Sequence, residues 1–564
     1  MTTIDWIVLF GTLFFIVGYG VWKTKGSKNI EGYLLGDKSL KWWTIGLSVM
    51  ATQASAITFL STPGQAFEDG MRFIQFYFGL PLAMVILSIT AIPIYYRLKV
   101  YTAYEYLETR FDLKTRSLAA FLFLIQRGLG AGITIYAPAI ILSTILGWTL
   151  TMTVLLIGIL VIIYTVSGGS RAVSQTQKQQ MAVMMGGMIL AGIMVVHYLP
   201  EHVSFGDAVK VAGKMGKMNV VSLNFDLSDR YNIWSGLIGG MFLALSYFGT
   251  DQSQVARYLG GKSITESRLG LLFNGLLKVP MQFLILFIGV MVFVFYQFTM
   301  PPVFFNESAK QLLYDTPAKD QVELLEKRHE ENYNQKKSAV NNLIIAMRNG
   351  NTLEEEESIS DINRTMAESN AIKTEISGIV EEQLPGANPR DTDYVFITFV
   401  MENLPVGLVG LILAVIFSAA MSSSSSELNA LSSTTTVDIY KRSVRKAGSE
   451  RHYLNSSKLF TLMWGLFAIG FALFAARLEN LIQAVNIIGS IFYGTILGIF
   501  LAAFYFKKIK SNAVFYAALA AQLVVLYCYF RTNIAFLLYN IIGCVLVITL
   551  GYIFEMFFRS RNVQ

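Results

Sequence analysis

The sequence predicts an all-α membrane protein that crosses the bilayer about thirteen times. Of its 564 residues, 54% are hydrophobic and only 15% are charged, and the mean hydropathy is +0.50. Apolar runs recur along the chain at about 20 residues, the length that a helix needs to cross about 30 Å of hydrocarbon. Backbone amide and carbonyl groups must be hydrogen-bonded inside the lipid, and a helix satisfies them within one segment, so such runs predict helices. In a membrane protein the formal net charge of +7 is attributed to basic residues that set the orientation of the spans. No nucleic-acid partner is expected.

The thirteen predicted spans are separated by polar loops. They cover residues 6–22, 43–62, 74–96, 117–146, 148–167, 177–199, 233–255, 270–299, 396–436, 457–476, 481–505, 512–530 and 533–557. The first is expected to be a retained helix, because no basic flank precedes it and no small-residue cleavage site follows it. The two cysteines, Cys528 and Cys544, lie inside late apolar runs, so neither a disulfide framework nor a metal site is predicted from them.

The loops differ in their content of lysine and arginine. Basic residues concentrate in alternate loops, for example at 97–116 and 441–451. Because such loops are retained in the cytoplasm, the N-terminus is predicted outside and the C-terminus inside. The expected location is the plasma membrane, which is the inner membrane in a bacterium.

One charged segment, residues 301–391, interrupts the series of spans and is called the insertion below. Its apolar residues recur at loose helical intervals between prolines, which predicts a pair of helices outside the membrane. Two interpretations stay open. It is either a solvated acidic insertion without chemistry of its own or a cap that binds an unknown partner or gates the protein.

Two spans carry signs of an interrupted helix. The second has small and hydroxylated residues at 51–56, ahead of Pro63 and Gly64, and the seventh has the run LSYFGTDQ at 245–252. The seventh is the fifth span after the second, so the two hold corresponding positions in two halves of five spans each. Paired interruptions of this kind are typical of a transport site near the bilayer midplane.

A serine run on the ninth span, SSSSS at 422–426, continues an apolar helix without a break. Its hydroxyls either bond back to their own helix and allow close packing, or they face carbonyls of a broken helix and form an oxygen cage for a monovalent cation. Ser422 and Ser423 lie three and four residues before Ser425 and Ser426, so their side chains can share one helix face.

Several motifs together resemble the sodium/solute symporter family. They are AAMSS at 419–423 with DIYK at 438–441, YFGTDQ at 247–252 and YTAYEYLETRF at 101–111. The run IYAPA at 135–139 resembles the branch that carries iodide, monocarboxylates and vitamins. The resemblance implies a core of five plus five helices in inverted repeats, the LeuT-like arrangement, in spans two to eleven. It also implies sodium-coupled uptake by alternating access and no enzymatic activity.

The resemblance implies a sodium site. Its carbonyl donors correspond to Ala51 and Ala54 in the second span, and a carbonyl with two hydroxyls corresponds to Ala419, Ser422 and Ser423 in the ninth. Five neutral oxygens suit a monovalent ion, whereas several carboxylates would favour calcium. Sodium is therefore the expected coupling ion.

A second sodium site, found in some members of the family, would use Ser425 and Ser426 with an aspartate. Gln177 stands where that aspartate would be. The sequence therefore predicts one sodium ion per transport cycle.

The resemblance gives a mixed pattern for substrate contacts. Gln53, Gln75, Lys278 and Gln483 hold positions that are polar contacts in sugar carriers, and Tyr247 holds the position of a gating tyrosine. The asparagine that sugar carriers place three residues earlier is replaced by alanine here, so the sugar pattern is half present.

Arg127 lies eleven residues after Arg116 in one predicted helix, which places it roughly 16 Å deeper, near the middle of the membrane. A guanidinium there needs a partner or a cavity. Two roles stay open: an internal ion pair with Asp251 or Glu427, or the binding of a substrate carboxylate.

These observations favour a sodium symporter for a small organic solute, with a monocarboxylate or similar anion as the first choice. The alternatives are a sugar or polyol symporter and a transporter-like membrane sensor. The expected regions are 1–42, an extra helix and loop; 43–200, the first repeat; 201–300, an extracellular loop and core helices 6 and 7; 301–391, the insertion; 392–505, core helices 8 to 10; and 506–564, two peripheral helices.

Overall fold

The computed structural model describes residues 1–23, 40–98, 100–385, 387–474 and 480–561, and in these ranges the regular structure is helical. The helices are α1 Thr3–Lys23, α2 Trp42–Gln53, α3 Ala56–Asp69, α4 Leu80–Ile89, α5 Ala91–Leu98, α6 Glu105–Arg110, α7 Leu113–Leu146, α8 Leu150–His197, α9 Phe205–Lys214, α10 Gly240–Thr250 and α11 Gln252–Leu259. They continue with α12 Ile264–Phe298, α13 Glu307–Leu313, α14 Lys319–Asn349, α15 Thr352–Gln383, α16 Val395–Asn403, α17 Leu408–Thr434, α18 Glu450–Ala472, α19 Leu481–Tyr505, α20 Ser511–Arg531 and α21 Leu538–Arg561.

The predicted all-α membrane architecture is confirmed, and helical residues lie at each of the thirteen predicted spans. In the described ranges, eight helical segments are long and apolar enough to cross a membrane, and three shorter helices are also apolar. Two details differ from the prediction. The single span expected at 396–436 is divided into α16 and α17, because Leu404 is extended and Gly407 has a positive φ of 86°. The spans expected at 148–167 and 177–199 are the two apolar parts of a single helix, α8, because the linking residues contain no proline to interrupt it.

Both predicted interruptions are confirmed. Helix α2 ends at Gln53, Ala54 and Ser55 leave the helical conformation, and α3 begins at Ala56. Helix α10 is separated from α11 by Asp251, whose backbone is extended and whose carboxylate caps α11. Backbone groups at such points lose their helical partners, so they are available to other elements.

Helix α17, which carries the serine run, packs against α7, α8, α3 and α2. Its first turn is held by α1, since the Asp5 carboxylate accepts hydrogen bonds from the Gly407 and Gly410 amides at 2.7 and 3.3 Å. On the other side of the broken helix, α12 packs along α2 and α3. The interruption between α2 and α3 is therefore enclosed between two long helices.

The insertion contains an antiparallel helical hairpin, which confirms the predicted pair of helices. Helix α14 ends at Asn349, Gly350 follows it in the left-handed conformation with φ 67°, and the Asn351 side chain caps α15. A small core that includes Phe304, Val322 and Ile376 holds the base of the hairpin together. Other apolar side chains of α14 and α15 join the main core, so the hairpin packs onto the transmembrane helices.

Candidate functional site

The serine face of α17 meets the point where α2 ends. The Ser422 hydroxyl donates to the Ala51 carbonyl at 3.4 Å, and the Ser423 hydroxyl donates to the Thr52 carbonyl at 3.2 Å. Ala54 and Ala419 are also fully buried in this region, each with 0% exposure. Of the five residues predicted for sodium, Ala51 and Ser422 are in contact, Ser423 contacts the Thr52 carbonyl, Ala54 follows the end of α2, and Ala419 precedes the serines on α17. The Thr52 carbonyl is an additional oxygen that the sequence did not indicate.

Gln177 from α8 links both elements through its side-chain amide. Its Oε1 accepts from the Ser48 hydroxyl, and its Nε2 donates to the hydroxyls of Thr52 at 3.1 Å and Ser422 at 2.9 Å. The Ser426 hydroxyl is 3.4 Å from the same nitrogen. A neutral donor, rather than a carboxylate, therefore faces these hydroxyls.

Arg257 lies beside the second pair of serines. Its Nη2 donates to the Ser426 hydroxyl at 2.8 Å, and the side chain is 2% exposed. The Ser425 and Ser426 hydroxyls also donate to the Ser422 carbonyl, at 3.4 and 2.8 Å. In the described part of the chain, no three acidic, histidine or cysteine side chains form a group that could hold a metal ion. The neutral oxygens of this region suit an alkali cation better than a divalent one.

A cavity of about 90 Å³ lies next to this interruption. Its polar lining residues are Thr52, Gln53, Ser55, Thr58, Tyr77, Gln126, Arg127, Thr134, Tyr247, Glu427, Asn486 and Tyr493. Three of the six predicted substrate residues, Gln53, Arg127 and Tyr247, are among them. The Gln53 Oε1 is buried and has no hydrogen-bond partner in the described structure.

Arg127 is paired with both of the acids named as its alternatives. Its Nη1 donates to Glu427 Oε1 at 3.0 Å, and its Nη2 donates to Asp251 Oδ2 and to the Tyr493 hydroxyl. The guanidinium also lies 5.3 Å from the centre of the Tyr247 ring. The internal ion pair is therefore present, and Glu427, unlike Asp251, lines the cavity together with Arg127.

Two predicted substrate residues lie outside this cavity because they bond to other groups. Gln75 donates to the Tyr231 carbonyl at 2.8 Å and accepts from the Ser222 amide at 3.1 Å. Gln483 donates to the Gln65 side chain at 2.8 Å and accepts from Arg230 at 2.6 Å. Both amides hold neighbouring segments in place.

Lys278 is fully buried on α12 and also lies outside the cavity. Its ammonium has no hydrogen-bond partner in the described structure, and it lies 6.0 Å from the centre of the Tyr77 ring. Tyr77 lines the cavity, whereas Lys278 does not. Asn274 and Gln282, one turn on either side, each keep an unpaired oxygen. Asn274, Lys278 and Gln282 recur at intervals of four residues and therefore form a polar stripe on α12. In the sequence this stripe is hard to recognise, because the residues between them are mostly apolar.

Comparison with known proteins identifies the family. The family model for the sodium:solute symporter family matches residues 33–313 and 370–521. The sodium/sialic acid symporter SiaT of Proteus mirabilis is 25% identical over 98% of this chain and 94% of its own length. The human sodium/iodide cotransporter is 32% identical over 50% of this chain and 43% of its own length.

A solved structure shares the fold. It is a substrate-bound, outward-open state of a sodium-coupled sialic acid symporter, with a TM-score of 0.75 and 24% identity, and the match covers 99% of this chain and 98% of that one. The LeuT-like arrangement predicted for the core is consistent with this match. The chain is a multi-pass, sodium-coupled solute transporter rather than an enzyme, and it belongs to the sodium:solute symporter family.

Proposed function

We propose that this symporter takes up a small organic anion, a monocarboxylate or a similar acid, together with one sodium ion per cycle. The observation that carries the proposal is the position of Arg127. Its guanidinium lies on the wall of the 90 Å³ cavity, beside the interrupted helix and the serine face of α17. The relatives described above are named for sialic acid and for iodide, which are both anions.

The size of the cavity favours a small solute. About 90 Å³ is far below the roughly 300–1,000 Å³ of sites for drug-sized ligands. A sugar or polyol would need several donors and acceptors around its hydroxyls. Of the four positions that correspond to polar contacts in sugar carriers, Gln75, Lys278 and Gln483 lie outside the cavity, and Gln53 is on its wall. The sugar alternative is therefore less favoured.

The pairing of Arg127 suggests how an anion is accepted. Asp251 and Tyr493 hold one terminal nitrogen, while the other bonds to Glu427 on the cavity wall. We infer that Glu427 occupies the place of the substrate carboxylate in the empty site and releases Arg127 when substrate enters. Asp251 keeps the guanidinium oriented during this exchange, because it lies away from the cavity. A charged pair with a carboxylate is among the stronger hydrogen bonds in proteins.

In this proposal, sodium binding favours substrate binding because the two ions carry opposite charges. With Asp251 and Glu427 both ionised, the cluster around Arg127 has one excess negative charge, which disfavours an entering anion. Ser423 and Glu427 are four residues apart on α17, so their side chains are neighbours on one helix face. A sodium ion held by Ser422, Ser423 and the α2 carbonyls would offset the excess charge.

The same ion would connect α2 and α17 and favour the state that binds substrate, with Tyr247 closing the site. Movement of one charge through about 100 mV releases roughly 2.3 kcal/mol, which drives uptake together with the sodium gradient.

Two side chains beside Ser425 and Ser426 support one sodium ion per cycle. Gln177 brings no negative charge there, and the Arg257 guanidinium already bonds to Ser426.

Sodium-triggered uptake in proteoliposomes tests the substrate. We expect a labelled short-chain monocarboxylate to accumulate and a neutral sugar not to do so. Arg127→Gln should abolish acid uptake because the carboxylate loses its charged partner. It should retain stabilisation by sodium against heat, since the serines and the α2 carbonyls are untouched. Arg364→Gln is the matched control, because that arginine side chain is 71% exposed. Normal acid uptake by Arg127→Gln, or accumulation of the sugar alone, would overturn the proposal.

A further inference from the structure

The insertion encloses a second cavity of about 420 Å³ where it covers the ends of α3 and α12. Helix α3 contributes Phe67, Glu68 and Asp69, and α12 contributes Phe293, Tyr296 and Gln297. Helices α14 and α15 of the insertion contribute further lining residues, among them His329, Lys336 and Lys373. The volume lies in the range of sites for organic ligands. No lining residue is shared with the central cavity.

One wall of this second cavity is aromatic. The Phe67 ring makes edge-to-face contacts with Phe293 at 5.6 Å, Tyr296 at 6.1 Å and Phe305 at 5.6 Å between centroids. All four side chains line the cavity. Such a surface favours an apolar or ring-bearing part of a ligand, which gains by leaving water.

Lys336 provides the polar part of a binding site. The residue is 8% exposed and lines the cavity, and it has no hydrogen bond or ion pair in the described part of the chain. Burial lowers the pKa of its ammonium to about 8, because the charged form loses hydration. His329, two turns earlier on α14, donates from Nε2 to the Pro301 carbonyl at 2.9 Å, and burial lowers its pKa. A buried ammonium without a counter-charge is a favourable partner for an anion.

The other charged side chains are already engaged. Lys373 forms ion pairs with Glu68 at 2.6 Å and Asp391 at 3.0 Å. Burial opposes its charge, but the Asp391 and Glu68 carboxylates raise the pKa of Lys373 above its ordinary value. Lys217 donates to the Glu68 backbone carbonyl, and Asp69 accepts from Gln65. None of these carboxylates forms an ion pair with Lys336 in the described part of the chain.

We propose that this second cavity binds an organic anion with an apolar, ring-bearing body. Its carboxylate would pair with Lys336 and its body would contact the rings of Phe67, Phe293 and Tyr296. Asn370 of α15 also lines the cavity and offers a further hydrogen bond to the carboxylate, whereas the Ser369 hydroxyl already donates to the Thr365 carbonyl at 3.0 Å. The insertion is thus a ligand-binding element, which adds a site to the one proposed for transport and does not depend on it.

Chemical labelling of Lys336 in the full-length protein tests this proposal. An acylating reagent reacts with neutral amines, and mass spectrometry of peptides measures the rate at each lysine. Phenylacetate is the probe, and phenylacetamide is its neutral control. A carboxylate beside the ammonium raises its pKa by about one unit or more, so labelling of Lys336 near neutral pH should slow by about tenfold. Lys319, on the same helix with its side chain 54% exposed, should be labelled at an unchanged rate.

Variants separate this site from the transport site. Protection of Lys336 by phenylacetate should persist in Arg127→Gln, whose central site is altered. Stabilisation against heat by phenylacetate should be lost in Lys336→Gln and retained in Lys336→Arg and Lys319→Gln. Equal labelling with and without phenylacetate, equal protection by phenylacetamide, or loss of protection in Arg127→Gln would each overturn the proposal. Normal acid uptake by Arg127→Gln with Lys336 still protected would refute the transport proposal alone.

Discussion

Ser422 and Ser424 are two hydroxyls on the same turn of α17, and each residue is 1% exposed. Ser422 faces the Ala51 carbonyl and Gln177, whereas the Ser424 hydroxyl has no hydrogen-bond partner in the described structure. If Ser422 binds sodium, Ser422→Ala should raise the sodium concentration for half-maximal uptake by about tenfold, since a lost polar contact of this kind costs about 1–3 kcal/mol. Ser424→Ala should change it by less than about twofold by the same reasoning. Sodium titration of solute uptake measures both, and equal effects would argue against this assignment.

Residues in sequence motifs could be placed from the sequence, and so could Asp251 and Glu427 as partners of Arg127, but other partners could not. The motif AAMSS indicated Ser422 and Ser423, and the structure brings both to α2. Tyr493 gave no signal, because it lies in an apolar span and is separated by 366 positions from Arg127, to which it bonds. Contacts between residues so far apart in sequence depend on how the helices pack, and they cannot be predicted from the spacing of residues along one helix.

The broken helix shows what an element's sequence can predict. Small and hydroxylated residues indicated an interruption in the second span, and the break is at Ala54 and Ser55. Pro63, which also favours a break, lies inside α3 instead. Neighbouring helices supply the packing that keeps a proline within a membrane helix, and here α12 lies against it through Gly289.

Gly289 lets α12 approach α3. A Cβ atom at this position would lie 2.3 Å from the Pro63 carbonyl oxygen. Gly289→Ala should therefore separate the two helices and lower stability by about 1–3 kcal/mol, the usual cost of overpacking. Gly130→Ala on α7 is the matched control, because nothing lies within 4 Å of its added methyl. There, alanine should be neutral or stabilise the helix by up to about 1 kcal/mol. Thermal unfolding in detergent compares them, and equal midpoints would contradict this packing.

For the whole molecule, hydropathy predicted where helices lie, because each span must satisfy its own backbone in lipid. It predicted two spans where α8 is continuous, since polar residues lower hydropathy without interrupting a helix. The pair of helices in the charged insertion was predicted from apolar residues at loose helical intervals between prolines. The second cavity could not be predicted, because Lys336 and Phe67 belong to segments far apart in sequence that meet only after the hairpin packs onto the core.

The distribution of lysine and arginine predicts the insertion outside and the loop after α17 inside. Glu356 on the insertion and Lys446 in that loop are both exposed, which makes them matched positions for single cysteines. In a variant whose Cys528 and Cys544 are replaced by alanine, a membrane-impermeant thiol reagent should label Glu356→Cys in intact cells. It should label Lys446→Cys only after the membrane is opened. Accessibility of both positions after opening serves as the control. The reverse pattern would invert the topology and place the Lys336 site in the cytoplasm.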